Sequence, residues 1–350
     1  MNAFHAHTGK GIMNHLGKIL LFILTGFFNL PASAPDSTVI PSVESLIVKQ
    51  EYDDAIELLI RHLQTAPDDN YALYLRVAIE QTELLDYESY ALYSERFLTT
   101  ADSIRKVLEN RLGKLYGKDS TECLFYIANI YGGIGVIEAK CGSWFPALRS
   151  SLASIGMLKE VLRRDSTMHA AMLGTGVFHY YLSKSFKWLP FISANSENEG
   201  IREVEKATAA PFLYGFAAKN SLCWILIDRK RFGRADTVAL SALDEAPGNT
   251  IFLRIRCLIA LWSGHCDQAV MLGQKLSEIS CARDPVNWSD YVMSCYVLTS
   301  GYDRLGKGKE ALAAADGILS AKIPPEFMKI PPIRKNLKKI QEVKKKYRKL

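Results

Sequence analysis

The residues that could do chemistry fail, set by set, on spacing. Gly113-Lys114-Leu115-Tyr116-Gly117-Lys118-Asp119 has the outline of a phosphate loop. A working loop keeps four residues between its glycines, so that backbone N–H groups converge on phosphate, and follows its Lys with Ser or Thr for magnesium. Here three residues intervene, and Asp119 follows Lys118. Gly133-Ile134-Gly135 lacks the third glycine of a dinucleotide turn and sits inside a helical pattern with no strand before it. Neither a G-x-S-x-G elbow nor an H-E-x-x-H zinc helix occurs. Beyond the first 34 residues the histidines are His62, His169, His179 and His265. His169 and His179 are ten residues apart, about 280° around a helix (about 80° the short way) and about 15 Å along it, so they do not meet. The cysteines at 123, 141, 223, 257, 266, 281 and 295 include no C-x-x-C pair and no metal-ligand spacing. Their odd count leaves at least one thiol outside any disulfide within the chain. Asp53-Asp54 and Asp68-Asp69 suit helix starts, where carboxylates favour the dipole. The expectation is a protein with no catalytic residues, no metal and no cofactor: not an enzyme.

Residues suited to contact are easier to find. Phe178-His179-Tyr180-Tyr181 leads into Ser183–Gly200, where Trp188, Pro190 and Phe191 precede a polar run, Asn195-Ser196-Glu197-Asn198-Glu199. Long loops often carry function, and aromatics anchor interfaces. Two readings stand: Tyr180, Tyr181, Trp188 and Phe191 touch a partner, or the loop aromatics plug a gap between helices.

The elements around these residues are helices. Ala235, Ala239 and Ala242 fall at i, i+4 and i+7, and Pro247 follows. Thirty-four residues after Ala235, Ala269, Gly273 and Leu276 take the same slots. Ala55 with Pro67, Gly135 with Ala147, Leu173-Gly174, and Leu298, Tyr302, Ala311 and Ala315 continue the pattern. Small residues let two helices approach, and the apolar i, i+3, i+4 stripe supplies burial. On these residues the chain resembles the tetratricopeptide repeat family, in degenerate form and of the exported bacterial type. The resemblance covers most of 38–324, with 70–118 helical but a poor match. It implies an all-α tetratricopeptide-like solenoid, a right-handed superhelix of six or seven helix–turn–helix pairs, each packing on its neighbours. The family's register places Asn220, Trp224, Arg254, Trp262, Tyr296 and Arg304 on the inner face, as an aromatic-and-Arg groove for a peptide. The Lys/Asn pair with which some family members grip a terminal carboxylate is not met: the slots hold Asn220 and Trp224, then Arg254 and Leu258.

The charge is uneven. The net +6 divides into a mildly acidic body, about −5 over residues 35–328, and a tail of ten Lys or Arg against Glu342 alone over 329–350. The body shows no phosphate-seeking field, and no nucleic-acid partner is expected. In the tail, Ile333, Leu337, Ile340 and Tyr347 recur at helical spacing after Pro331-Pro332. Such a helix either caps the last repeat or lies on an anionic membrane surface. The first 34 residues read as an export signal: Lys10, His15 and Lys18, then an apolar run from Ile19 to Phe28, then Ala32-Ser33-Ala34, although Pro35 directly after is unfavourable for cleavage. The run is too short to span a bilayer. The organisation expected is a signal over 1–34, repeats over 35–328 with an irregular insertion at 183–200, and a basic capping helix over 329–350. The function expected is a periplasmic or envelope-associated scaffold that binds a protein partner on its concave face. The alternative is a periplasmic component of a solute-uptake system that holds a small ligand.

Overall fold

The computed structural model describes residues 38–348, apart from 186–193 and 211. Fifteen α-helices and one short 3₁₀ turn make up the described residues, with no strand among them. The expected export signal, and Trp188 and Phe191, lie outside the described residues.

The helices fall into two compact units, and the repeat pairing is visible in each. The first unit is Met1–Glu83 with Tyr93–Leu222. It holds α1 (Val39–Lys49), α2 (Tyr52–Thr65), most of α3 (Asn70–Asp86) and α4 (Tyr90–Leu112), then α5 (Gly117–Lys140), α6 (Trp144–Arg164), α7 (His169–Ser185), α8 (Ala194–Ala207) and the start of α9 (Phe212–Asp228). The second unit is Leu84–Leu92 with Cys223–Leu350. It holds the remainder of α9, then α10 (Phe232–Glu245), α11 (Thr250–Ser263), α12 (Cys266–Ala282), α13 (Trp288–Arg304), α14 (Gly308–Ser320) and α15 (Pro331–Tyr347).

Local chemistry sets the helix ends. Asp69 and Asn249 each follow a proline by two residues and cap the next helix. Asp69 accepts from the Tyr71 and Ala72 N–H groups at 2.9 and 3.0 Å. Asn249 accepts from Ile251 and Phe252 at 3.1 and 3.4 Å. Gly264 ends α11 at a φ of 86°, a left-handed conformation that favours glycine. Pro331 and Pro332 open α15, where their missing donors cost nothing.

Small residues bring the pairs together. A Cβ on Gly135 would lie 2.6 Å from the Ser151 hydroxyl, so α5 and α6 touch where the repeat pattern places its glycine. A Cβ on Gly200 would lie 2.5 Å from the Gly176 carbonyl, so α7 and α8 cross backbone to backbone. That crossing corrects the reading of 183–200 as irregular throughout: Ser183–Ser185 close α7 and Ala194–Gly200 open α8. Within α8, Asn198 and Glu199 are exposed, whereas Gly200, Ile201, Val204 and Ala207 are buried.

In the second unit, Ala235, Ala239 and Ala242 are fully buried. Replacing Ala239 by Trp is expected to cost about 1–3 kcal/mol or more, because no volume exists at the contact. A urea melt that leaves the midpoint unmoved would overturn that packing. Leu253, Cys257 and Leu261 of α11, Ala269, Leu272 and Leu276 of α12, and Met293 and Val297 of α13 form one buried cluster. α15 closes the end of this unit by burying Ile333, Leu337 and Ile340 on α13 and α14. Five cysteines are buried, and only Cys141 and Cys281 are exposed.

Candidate functional site

An open concavity of the first unit runs between α4, α5 and α6. α4 buries Phe97, Ala101 and Leu108 along one edge. Its adjoining face turns Ser94, Glu95, Leu98, Thr99, Asp102, Ser103 and Lys106 towards Glu138, Cys141, Ser143 and Pro146, around a cavity of about 640 Å³. A second cavity of about 360 Å³ continues from it past Arg105, Tyr131, Arg149 and Ser150. Leu98, Asp102 and Glu138 line both, so the two form one groove. Ser94 to Lys106 spans about 18 Å of helix, the length of three helical turns in a partner.

Charge is distributed unequally along this groove. Arg105 donates to both oxygens of Glu109 at 2.7 and 2.6 Å, to the Tyr131 hydroxyl at 3.0 Å, and to Asp102. Its guanidinium stacks 5.0 Å from the Tyr131 ring centre. Lys106 pairs with Asp102 at 2.6 Å. Hydrogen bonds from Lys106 and then Arg105 hold the Asp102 carboxyl below its ordinary range. These cations are therefore already compensated. Burial raises the Glu138 carboxyl above the ordinary range, opposed by a 3.0 Å hydrogen bond from Ser150 and by the field of Arg149. No ion pair is found at Glu138 or Glu95 among the described residues. The groove thus offers a carboxylate that an incoming cation would stabilise.

Its rim is apolar. Phe145, Leu148 and Leu152 recur at i, i+3 and i+7 on α6 and are 81%, 37% and 52% exposed. Arg149 and Pro146, between them in sequence, face the groove, so the stripe borders it. The adjoining arc of α6 already buries Ala147, Ile155, Leu158 and Val161. The apolar arc of α6 is thus wider than its own unit covers. That surplus is the signal in the sequence that points to this site.

The residues expected from the sequence fare differently. Tyr180 and Tyr181 are 0% and 4% exposed, with rings 4.9 Å apart edge to face. The α7–α8 crossing moves them from surface to core. Asn220 and Trp224 are half-buried. Arg254 is committed to Asp290 at 2.8 Å. Tyr296 lies under Lys339 of α15, which donates to its hydroxyl at 3.2 Å. Arg304 donates to the Leu261 carbonyl, one residue from Trp262. Trp262 stays open, at 42% exposure. The second unit thus holds five of these residues, and Arg254, Tyr296 and Arg304 are engaged in holding it together. Among the described residues no three His, Cys, Asp or Glu side chains are arranged to hold a metal ion.

The fold and groove define a class: an all-helical tandem-repeat protein with an open groove of mixed polarity in its first unit. No family model matches the chain, and no curated protein matches it either. Among solved structures it is similar to a chain of the APC/C hetero-tetramer Cut9–Hcn1, at a TM-score of 0.52 and 11% identity over 89% of this chain. The match spans 56% of that chain, so this protein corresponds to about half of its length. It is also similar to the C-terminal part of a TPR repeat-containing protein from Cytophaga hutchinsonii, at a TM-score of 0.40 and 17% identity over 85% of this chain and 98% of that one. A tetratricopeptide repeat protein from Parabacteroides merdae matches at a TM-score of 0.38 and 12% identity over 87% and 97%. The fold is tetratricopeptide-like.

Proposed function

We propose that this protein is a non-catalytic scaffold that docks a segment of a protein partner in the α4–α5–α6 groove. The observation that carries the proposal is the exposed stripe Phe145, Leu148 and Leu152 beside Glu138, a half-buried carboxyl with no ion pair among the described residues. An amphipathic helix of about three turns would lay its apolar side on the stripe and a Lys or Arg against Glu138. Aromatic and aliphatic anchors beside a polar groove are where binding energy concentrates. The solved Cut9–Hcn1 assembly is a hetero-tetramer on a similar fold, which supports a role in assembly. Export through the leader over 1–34 would place the scaffold in the cell envelope. Trp262 is the exposed aromatic that this reading keeps from the inner-face set.

Cys141 lines the groove and is exposed, so it can carry a photo-crosslinker once Cys281 is changed to Ser. With the full chain in extract of its own cells, one recurrent adduct is expected. Phe145→Asp with Leu152→Asp should reduce it at least tenfold while the melting temperature stays put, since exposed positions carry little folding energy. Equal labelling in the variant would sink the reading.

A second reading draws on the same cavity. Its volume falls in the range of small-ligand sites, as a solute-uptake component would require. A thermal shift with a metabolite panel and no protein present would favour that alternative.

A further inference from the structure

α15 divides its residues between two faces. Ile333, Leu337 and Ile340 are buried with Val292, Cys295, Ala315 and Ile318 of the second unit. The apolar side that an interfacial helix would sink into a bilayer is therefore already in use. Three cations also turn inward or sideways onto the unit. Lys339 lies 4.5 Å from the Tyr296 ring centre, Lys346 pairs with Asp303 at 2.6 Å, and Lys344 pairs with Asp316.

Arg334, Lys338, Lys345 and Arg348 differ from these. All four are exposed, and no ion pair involves any of them among the described residues. At 100° per residue they lie within about 80° of one another, and at 1.5 Å per residue they run for about 21 Å. Lys335, exposed, flanks this line. Glu342, the one acid of the helix, sits at its edge and offsets a single charge. The product is a straight cationic ridge on the outer side of a firmly seated helix.

We propose that this ridge attaches the protein peripherally to an anionic membrane surface, by charge and without insertion into the acyl chains. The inference is independent of the groove. A ridge has no cleft for a peptide and, on these residues, no aromatic platform on which bases stack. The body over 35–328 is net acidic, so a polyanion longer than the helix meets repulsion beyond it. A flat array of headgroups can meet the ridge along its length. Each basic residue near such a surface multiplies binding about fivefold.

The test is co-sedimentation of the full chain with phosphatidylcholine vesicles, with and without about 30% phosphatidylglycerol, at about 0.05 M and about 0.5 M salt. Retention is expected on the anionic vesicles only and is lost at the higher salt. Arg334→Glu with Lys338→Glu should weaken it at least about 25-fold, with an unchanged melting temperature. Lys345→Gln with Arg348→Gln, a milder pair on the same line, should weaken it in the same direction. Equal retention on neutral vesicles, retention that survives both variants, or no retention at all overturns the proposal. So does capture on poly-glutamate or single-stranded DNA beads in the absence of vesicle binding, which would assign the ridge to a polyanion.

Discussion

Replacing Arg254 by Met will destabilise the second unit by about 3–5 kcal/mol at neutral to alkaline pH. Arg254 reaches the Asp290 carboxylate at 2.8 Å, and that carboxylate is wholly shielded from water. Around it sits a buried polar knot. Asp86 accepts from Arg283 at 2.7 Å, from Asn287 at 3.4 Å and from Thr250 at 3.4 Å. Asn287 also donates to Asp290 at 3.4 Å, and its carbonyl oxygen caps α13. Arg283 stacks 4.5 Å from the Tyr87 ring centre. This knot is what makes Leu84–Leu92 part of the second unit, although it is remote in sequence from the rest. Removing Arg254 leaves a buried charge with weaker compensation, and that is the costly way to break a pair.

The pH dependence of this variant follows from its cause. Burial raises the Asp290 carboxyl well above its ordinary range, Arg254 opposes the rise, and Asp86 adds to it. A raised folded-state pKa means that the folded form holds the proton more tightly than the unfolded form. The contribution of Asp290 to stability is therefore present at low pH and lost as pH climbs above the ordinary carboxylate range. Without Arg254 the folded pKa rises further, so the loss extends to higher pH. Hydrogen exchange of α11 and α13 peptides should show a smaller gap between variant and parent at about pH 5 than at about pH 8. A gap that is equal or larger at the lower pH would refute the arrangement. Arg254→Met combined with Asp290→Asn should recover part of the loss, because the two positions are coupled.

Tyr126→Ala is the second large effect, at about 3–5 kcal/mol in the first unit. Tyr126 stacks on Tyr74 with ring centres 5.4 Å apart and planes 9° apart, and on Tyr71 at 5.7 Å. Phe125, next to it, meets Tyr214 at 5.3 Å. The hydroxyl of Tyr71 donates to Glu44 at 2.5 Å, and burial pushes the Glu44 carboxyl up to about 7. The cluster joins α1, α3, α5 and α9 into one core, so deleting its central ring opens a cavity that rigid helices cannot fill. Tyr126→Phe keeps the ring and should cost no more than about 1.5 kcal/mol. Exchange of α3 and α5 peptides in the two variants checks this. A loss below about 1 kcal/mol for Tyr126→Ala would show that the stack is not central.

Much of the architecture is written in short-range patterns. Ala235, Ala239 and Ala242 announce a close helix contact and are fully buried. Gly135 falls in a glycine slot and meets Ser151. Ile333, Leu337 and Ile340 give α15 its buried edge. The site was less legible. Arg254 and Tyr296 look like groove residues in a single repeat register, but Asp290 and Lys339 engage them from elsewhere in the unit. The stripe at Phe145, Leu148 and Leu152 has the same spacing as any core edge, and only the identity of the face already buried distinguishes it.

Helical periodicity, capping and repeat spacing were thus settled by the chain alone, because each depends on residues within a few turns of one another. Partnership across helices was decided by tertiary packing. Whether a cation is spent or free, as with Arg254 and Arg334, depends on which carboxylate the fold brings within about 4 Å, and Coulomb attraction carries no information about sequence separation.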